Sequence, residues 1–165
     1  MINKLNNLIE LEKEVYLELM VVARQEAYIY FDKNIRELPR KKDGSFDESA
    51  GEMSNNDADA FRHAYVSGVF TQEKGEMKAN LAGVYNEIKG TNPINQQNMD
   101  LWNNSVGRKH GKKSKTREEL ADFIKKALEN NELIIEPNDP REYKGLRHFD
   151  YDPEKPVKVI QESES

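Results

Sequence analysis

The chain has 165 residues, a length that fits one domain with a real core. With 33% charged and 36% hydrophobic residues it is polar for a globular protein, and some of it is expected to stay unburied. It has no cysteine, which excludes disulfides and thiolate metal sites, and no apolar run approaches the roughly 18 residues that a transmembrane helix needs. The net charge of −5 is uneven: residues 129–165 hold ten acids and five bases, so the tail carries the whole excess and the body is neutral. Inside the body Arg108, Lys109, Lys112, Lys113, Lys115 and Arg117 form a basic run. Overall acidity argues mildly against a nucleic-acid binder, while this run keeps that class open. The first residues, MINKLNNLIELEKE, place acids inside an apolar stretch. A secretory signal is therefore not expected. The expectation is a cytoplasmic location in the producing cell, with any export independent of a signal peptide.

In chain order, residues 3–38 predict one long amphipathic helix. Leu5, Leu8, Val15, Leu19, Val22 and Ile29 recur at three-, four- and seven-residue spacings. Pro39 ends it, and its length allows a break near 24–28. Residues 39–53 read as a loop, with Asp43-Gly44 as a turn signal and too many acids and small residues to make a core. Ser54, Asn55 and Asn56 are candidate N-caps for a helix over 56–73, stopped by Gly75. A second short helix over 76–89 has Met77, Leu81, Val84, Tyr85 and Ile88 as its apolar face and Gly90 at its end. A fourth, over 96–110, carries Met99, Leu101, Trp102 and Val106. Thr116 and Glu119 fit a capping box for a fifth helix that runs to about Asn130. Residues 132–135 read as a short strand or an extended cover. From Pro137 onward prolines and glycines fall among charges, which predicts an extended or partly disordered acidic tail that Phe149, Tyr151 and 157–160 could pin in places. The fold class is thus all-α: a compact bundle of about five helices forming one domain over 1–136, with the site-bearing region at about 50–115 and a tail over 137–165.

Two segments carry chemistry. In the first, Asp59 and His63 are four apart and share a helix face. A carboxylate beside an imidazole fixes its tautomer and raises its basicity, as a general base requires. The same pair is also an ordinary stabilising contact. Arg62 adds a permanent cation, suited to an intrahelical salt bridge, a contact with Asp100, or a substrate anion. The alanines at 58, 60 and 64 let another helix approach closely. In the second segment Asp100, Asn104 and Arg108 form one polar stripe, and Asn103 stands beside it. Asparagines are poor helix formers, so adjacent ones suggest hydrogen bonding to a buried group, either at a substrate site or in a structural network that ties helices together. Gly107 is similarly costly unless a backbone or ligand comes close. Short loops joining the middle helices predict antiparallel neighbours, which would bring Glu87 alongside. His110 and His148 read as surface residues. Ser67 lies one turn after His63, but no G-x-S-x-G elbow surrounds it.

At these residues the sequence resembles an uncharacterised all-helical domain found at the C-terminal ends of bacterial polymorphic toxins, some with Rhs-type repeats. Its pattern is a D-A-F-R-H-A-Y block, a mid-domain H-E pair and an M-D-x-x-N-N-x-x-G-R block. Residues 59–65 match the first block, and Met99, Asp100, Asn103, Asn104, Gly107 and Arg108 match the last. The stretch LADFIKKALENNEL is similar to the closing helix, so the resemblance covers roughly 50–135. In the middle, Asn86-Glu87 stands where the family has His-Glu. If that His is catalytic in relatives, this chain is weakened or relies on His63. The resemblance implies a toxin or effector context and a cognate immunity protein as partner, without a settled reaction.

The first expectation is a small effector hydrolase. His63 would act as general base, oriented by Asp59, with Asp100 as the third catalytic residue. Arg62, Glu87, Asn103, Asn104 and Arg108 would bind or polarise a polar substrate, a cell-envelope one before DNA. No cofactor is expected. Asp59, His63 and Asp100 with nearby asparagines could ligate a hard or borderline cation, but no H-E-x-x-H or close His pair of the zinc type is present. The alternatives are a non-catalytic binding module, in which the polar residues are structural and the basic run or acidic tail meets a partner, and a nuclease using 108–117 on phosphates.

Overall fold

The computed structural model describes residues 2–147, with side chains from residue 15 onward except those of Ile88 and Lys89. The expectations for His148, Phe149, Tyr151 and 157–160 lie outside the described residues, and those for the side chains of Leu5, Leu8 and Ile88 lie outside the described side chains. Within them the chain is an all-α bundle of five helices: α1 (Ile2–Asn34), α2 (Asp57–Lys74), α3 (Glu76–Lys89), α4 (Ile94–Lys113) and α5 (Arg117–Glu129).

Local chemistry sets most boundaries. The Asn56 side chain accepts from the backbone N–H groups of Ala58 and Asp59 and starts α2. Gly75 ends it at φ +88°, a left-handed angle that a side chain would resist. Gly90 ends α3 in extended backbone, not in the left-handed form expected of a glycine stop. Thr116 caps α5 by accepting from Glu119 N–H, and Glu119 in turn accepts from Lys115 N–H, so the box closes one residue earlier than the sequence pattern implies.

Two readings of the core need correction. α1 is continuous through 24–28, but the stripe Val15, Val22 and Ile29 faces outward, 42%, 52% and 58% exposed. The buried face is Ala23, Ala27, Tyr28 and Phe31. The seven-residue spacing is real, but small alanines allow close helix approach and leave the bulkier aliphatics outside. Similarly, Met77 of α3 is exposed, while Ala79 and Val84 face inward. The loop over 39–53 also contributes to the core: Phe46 and Met53 are buried, with Phe46 paired by a bridge to Arg40, whose guanidinium lies 4.2 Å above its ring. At the centre Phe61 stacks on Tyr30 and Tyr65 and meets Phe31 edge-on.

The α2–α4 contact positions the site. Gly107 lies so close to Ala64 that a Cβ there would sit 1.9 Å from the Ala64 carbonyl oxygen, and one on Gly111 would sit 2.5 Å from that of Gly68. Because 64 meets 107 and 68 meets 111, α2 and α4 run in the same direction, and α3, which joins them in the chain, packs against both. Beyond α5 the chain runs without helix or strand among the described residues, through turns at 130–131 and 137–138. It covers α4: Leu133 and Ile134 are buried, and Tyr143 packs with Val84 and Leu101.

Candidate functional site

α2, α3 and α4 enclose a cleft of about 100 Å³, with Met20 and Arg24 of α1 at its rim. Arg62, His63 and Ser67 come from α2, Gly83, Asn86 and Glu87 from α3, and Asn104 from α4. Asp59 and Asp100, each 4% exposed, meet Arg62 and His63 from the buried side.

Asp59 Oδ2 accepts from the Asn55 backbone N–H at 2.7 Å, and its Oδ1 accepts from Arg62 Nη2. The same Nη2 lies 2.8 Å from His63 Nε2. A guanidinium can only donate, so Nε2 is an acceptor and the ring proton of the neutral imidazole is on Nδ1. The Asp59–His63 contact expected from the four-residue spacing is therefore indirect. Asp59 Oδ1 is 3.6 Å from Nε2, and Arg62 lies between them. Asp59 holds the N-terminal turn of α2 and the guanidinium, and does not hold an imidazole N–H. Asp100 Oδ1 lies 3.4 Å from the same bare Nε2 and, among the described residues, receives no hydrogen bond.

The electrostatics follow from this crowding. Burial pushes the Asp100 carboxyl up to about 6; His63 and Arg62 counter the shift, while Glu87 and Asp59 add to it. Burial, with Asp59 in support, pushes Glu87 up to about 7. Asp59, with its fixed partner in Arg62, and Glu87 thus have unlike environments in one cleft.

Two residues expected at the site are elsewhere. Asn103 is fully buried on another face of α4. It donates to the Ile134 carbonyl and accepts from the Ile134 N–H, so it replaces a strand partner for the extended cover. Arg108 is also buried, with Nη2 3.2 Å from the Tyr143 hydroxyl, and does not line the cleft. Adjacent positions on a helix point about 100° apart, which is why Asn104 reaches the cleft and Asn103 does not. His110 is not a free surface residue: its ring packs 5.9 Å from Phe123, near Glu132, and burial lowers its pKa. Met20, Arg24 and Gly83 were missed. The first two come from a helix far away in sequence, and no local signal marks them. Gly83 marks a close approach, since a Cβ there would lie 3.1 Å from Asn104 Nδ2.

The model of a family described as a domain of unknown function (DUF6973) matches residues 20–132. The chain belongs to that DUF6973 family. No curated protein and no solved structure matches it. The matched span contains the five residues that meet at the cleft, Asp59, Arg62, His63, Glu87 and Asp100.

Proposed function

We propose that this DUF6973 chain is a small effector hydrolase of the polymorphic-toxin kind, acting on a polar substrate in the cleft between α2, α3 and α4. One observation carries the reading: an imidazole with an unprotonated Nε2 stands among three buried carboxyl groups, and one of these has no hydrogen-bond partner at Oδ1 among the described residues. Packing alone does not retain such a group, because burying a carboxylate oxygen without a hydrogen-bond donor is costly. In this reading His63 Nε2 takes the proton of a water once Arg62 turns toward substrate. Asp100 steadies the imidazolium that forms, and Glu87, protonated up to about 7, returns a proton to the leaving group. Asn104 and Arg62 orient the substrate.

The cleft's size favours a small polar group over a nucleic-acid strand. The basic run also counts against a nuclease. Arg108 is inside, Lys112 pairs with Glu76, and Arg117 pairs with Glu26 and Glu73. An envelope substrate remains the first choice.

The test is growth of a bacterial host expressing wild type or His63→Ala, each directed to the cytoplasm or to the periplasm. Toxicity in one compartment, lost in a variant with unchanged circular dichroism and melting, is expected and names the compartment of the substrate. No toxicity in either, or equal toxicity from the folded variant, removes the reading in favour of a binding module.

A further inference from the structure

Three atoms able to ligate a cation converge behind the cleft. Asp59, His63 and Asp100 each offer a ligand atom, one imidazole nitrogen and two carboxylate oxygens, and the three lie within 4.8 Å of one another. His63 Nε2 is 3.6 Å from Asp59 Oδ1 and 3.4 Å from Asp100 Oδ1. Ligands held at 2.0–2.2 Å around a tetrahedral ion are roughly 3.4 Å apart. Two of the three edges are therefore already near the spacing that a bound ion imposes, before any movement.

Arg62 stands in the place of a positive charge. Its Nη2 bonds to Asp59 Oδ1 and to His63 Nε2, two of the three atoms. It makes no hydrogen bond to the third, and Asp100 Oδ1 is left buried and without a donor among the described residues. A guanidinium nitrogen has two protons and serves two acceptors. A metal ion has no such limit and serves all three. The charges agree, since two carboxylates balance one dication where a single guanidinium leaves an excess. His63 also presents a lone pair to the trio, as a ligand must.

We propose that Asp59, His63 and Asp100 bind one divalent transition-metal cation, and that Arg62 fills its place in the cation-free protein. One imidazole nitrogen and two carboxylate oxygens suit a borderline ion such as Mn²⁺ or Zn²⁺ better than Ca²⁺. The inference deepens the hydrolase reading, on whose cleft it rests, by naming how water is activated there. With the cation bound, His63 Nε2 would be a ligand and no longer the general base, and the cation would supply the acidity of a bound water in its place. The Tyr28 hydroxyl, 3.2 Å from Arg62 Nη1, offers the displaced guanidinium a partner outside the trio.

The test is direct binding to the metal-stripped full chain, with Mn²⁺ followed by electron paramagnetic resonance and Zn²⁺ by calorimetry. One saturable site per chain and a raised melting temperature are expected. Asp100→Asn and His63→Gln should each weaken it by about tenfold or more. Asp100→Asn removes a buried charge, so it should melt no earlier than wild type without metal, and its lost binding is not unfolding. Arg62→Met should bind as tightly or more tightly, because it removes the competing cation. A purely structural cluster would not produce that result. The inference is overturned if neither ion saturates a site, if Asp100→Asn leaves the site unchanged, or if folded Arg62→Met binds tenfold more weakly. Binding without toxicity would keep the cation site and remove the hydrolase reading, whereas toxicity without binding would do the reverse.

Discussion

Glu87 illustrates what a charged cleft costs the fold. It is 6% exposed on α3, and burial with Asp59 nearby holds its carboxyl at about 7, against 4.5 for the free group. The unfolded chain ionises this group from about 4.5 upward, while the folded chain keeps the proton until about 7. Its favourable contribution is therefore complete below 4.5, falls away between the two values, and is gone above 7. Glu87→Gln removes the titration, so the variant should melt several degrees above wild type at pH 8 and level with it at pH 4. The gap corresponds to a penalty on the order of 3 kcal/mol. A difference that does not change with pH would show that Glu87 is solvated. At this scale the sequence was informative about identity and less so about direction. Asp59, Arg62, His63, Glu87 and Asp100 do meet and Asn104 lines the same cleft, whereas Asn103 and Arg108 turn to the C-terminal cover. Residue type marks a polar network, but the partners of Asp100, Asn103 and Arg108 lie dozens of positions away. The insertion of Arg62 between Asp59 and His63 depends on rotamers, which helix spacing does not specify.

Between elements, the distance from α2 to α4 decides whether a site exists at all. Ala64 and Gly68 on one helix meet Gly107 and Gly111 on the other with no room for further atoms. This approach brings Asp100 to His63. Gly107→Ala places a methyl group 1.9 Å from a backbone oxygen, a clash that only separation of the helices can relieve. It should lower the melting temperature by roughly 5 °C or more, despite alanine's better helix propensity. Gly51→Ala, with nothing within 4 Å, should be nearly neutral. Equal melting of the two variants would mean that the helices are not in contact. Both the alanines of α2 and Gly107 can be read as close-approach signals from sequence. The orientation of α1 cannot, because Val15, Val22 and Ile29 form a better apolar stripe than the alanine and aromatic face that is buried. Hydrophobic periodicity measures apolar size, and a tightly packed bundle selects small residues at its closest crossings.

For the whole molecule, the domain extends further than its helices. A boundary at 136 follows from composition, since prolines and charges continue to the end. Yet residues 137–147 are fixed to α4 at several points. Asn98 donates to the Arg141 carbonyl at 2.9 Å and accepts from the Tyr143 N–H at 2.8 Å. The Arg141 guanidinium lies 5.4 Å from the Trp102 ring centre, and Tyr143 covers Val84 and Leu101 while its hydroxyl meets the buried Arg108. The acids and prolines obscured this, because the attachment uses backbone groups, one tyrosine and an arginine that composition reads as a solvated charge. A chain ended at 136 loses the Tyr143 ring, exposes Val84 and Leu101, and leaves the Arg108 guanidinium without the Tyr143 hydroxyl. Each of these costs on the order of 1–3 kcal/mol. Such a chain should melt at least several degrees below one ended at 147. Because Asn98 precedes Asp100 by half a helical turn, loosening this strap should also release the N-terminal part of α4. Amide exchange around Asp100 should then rise in the shorter chain, while α2 near Phe61 stays protected. Equal melting and equal exchange in the two chains would return the boundary to 136. Faster exchange confined to 98–108 would make the strap part of what holds the site together.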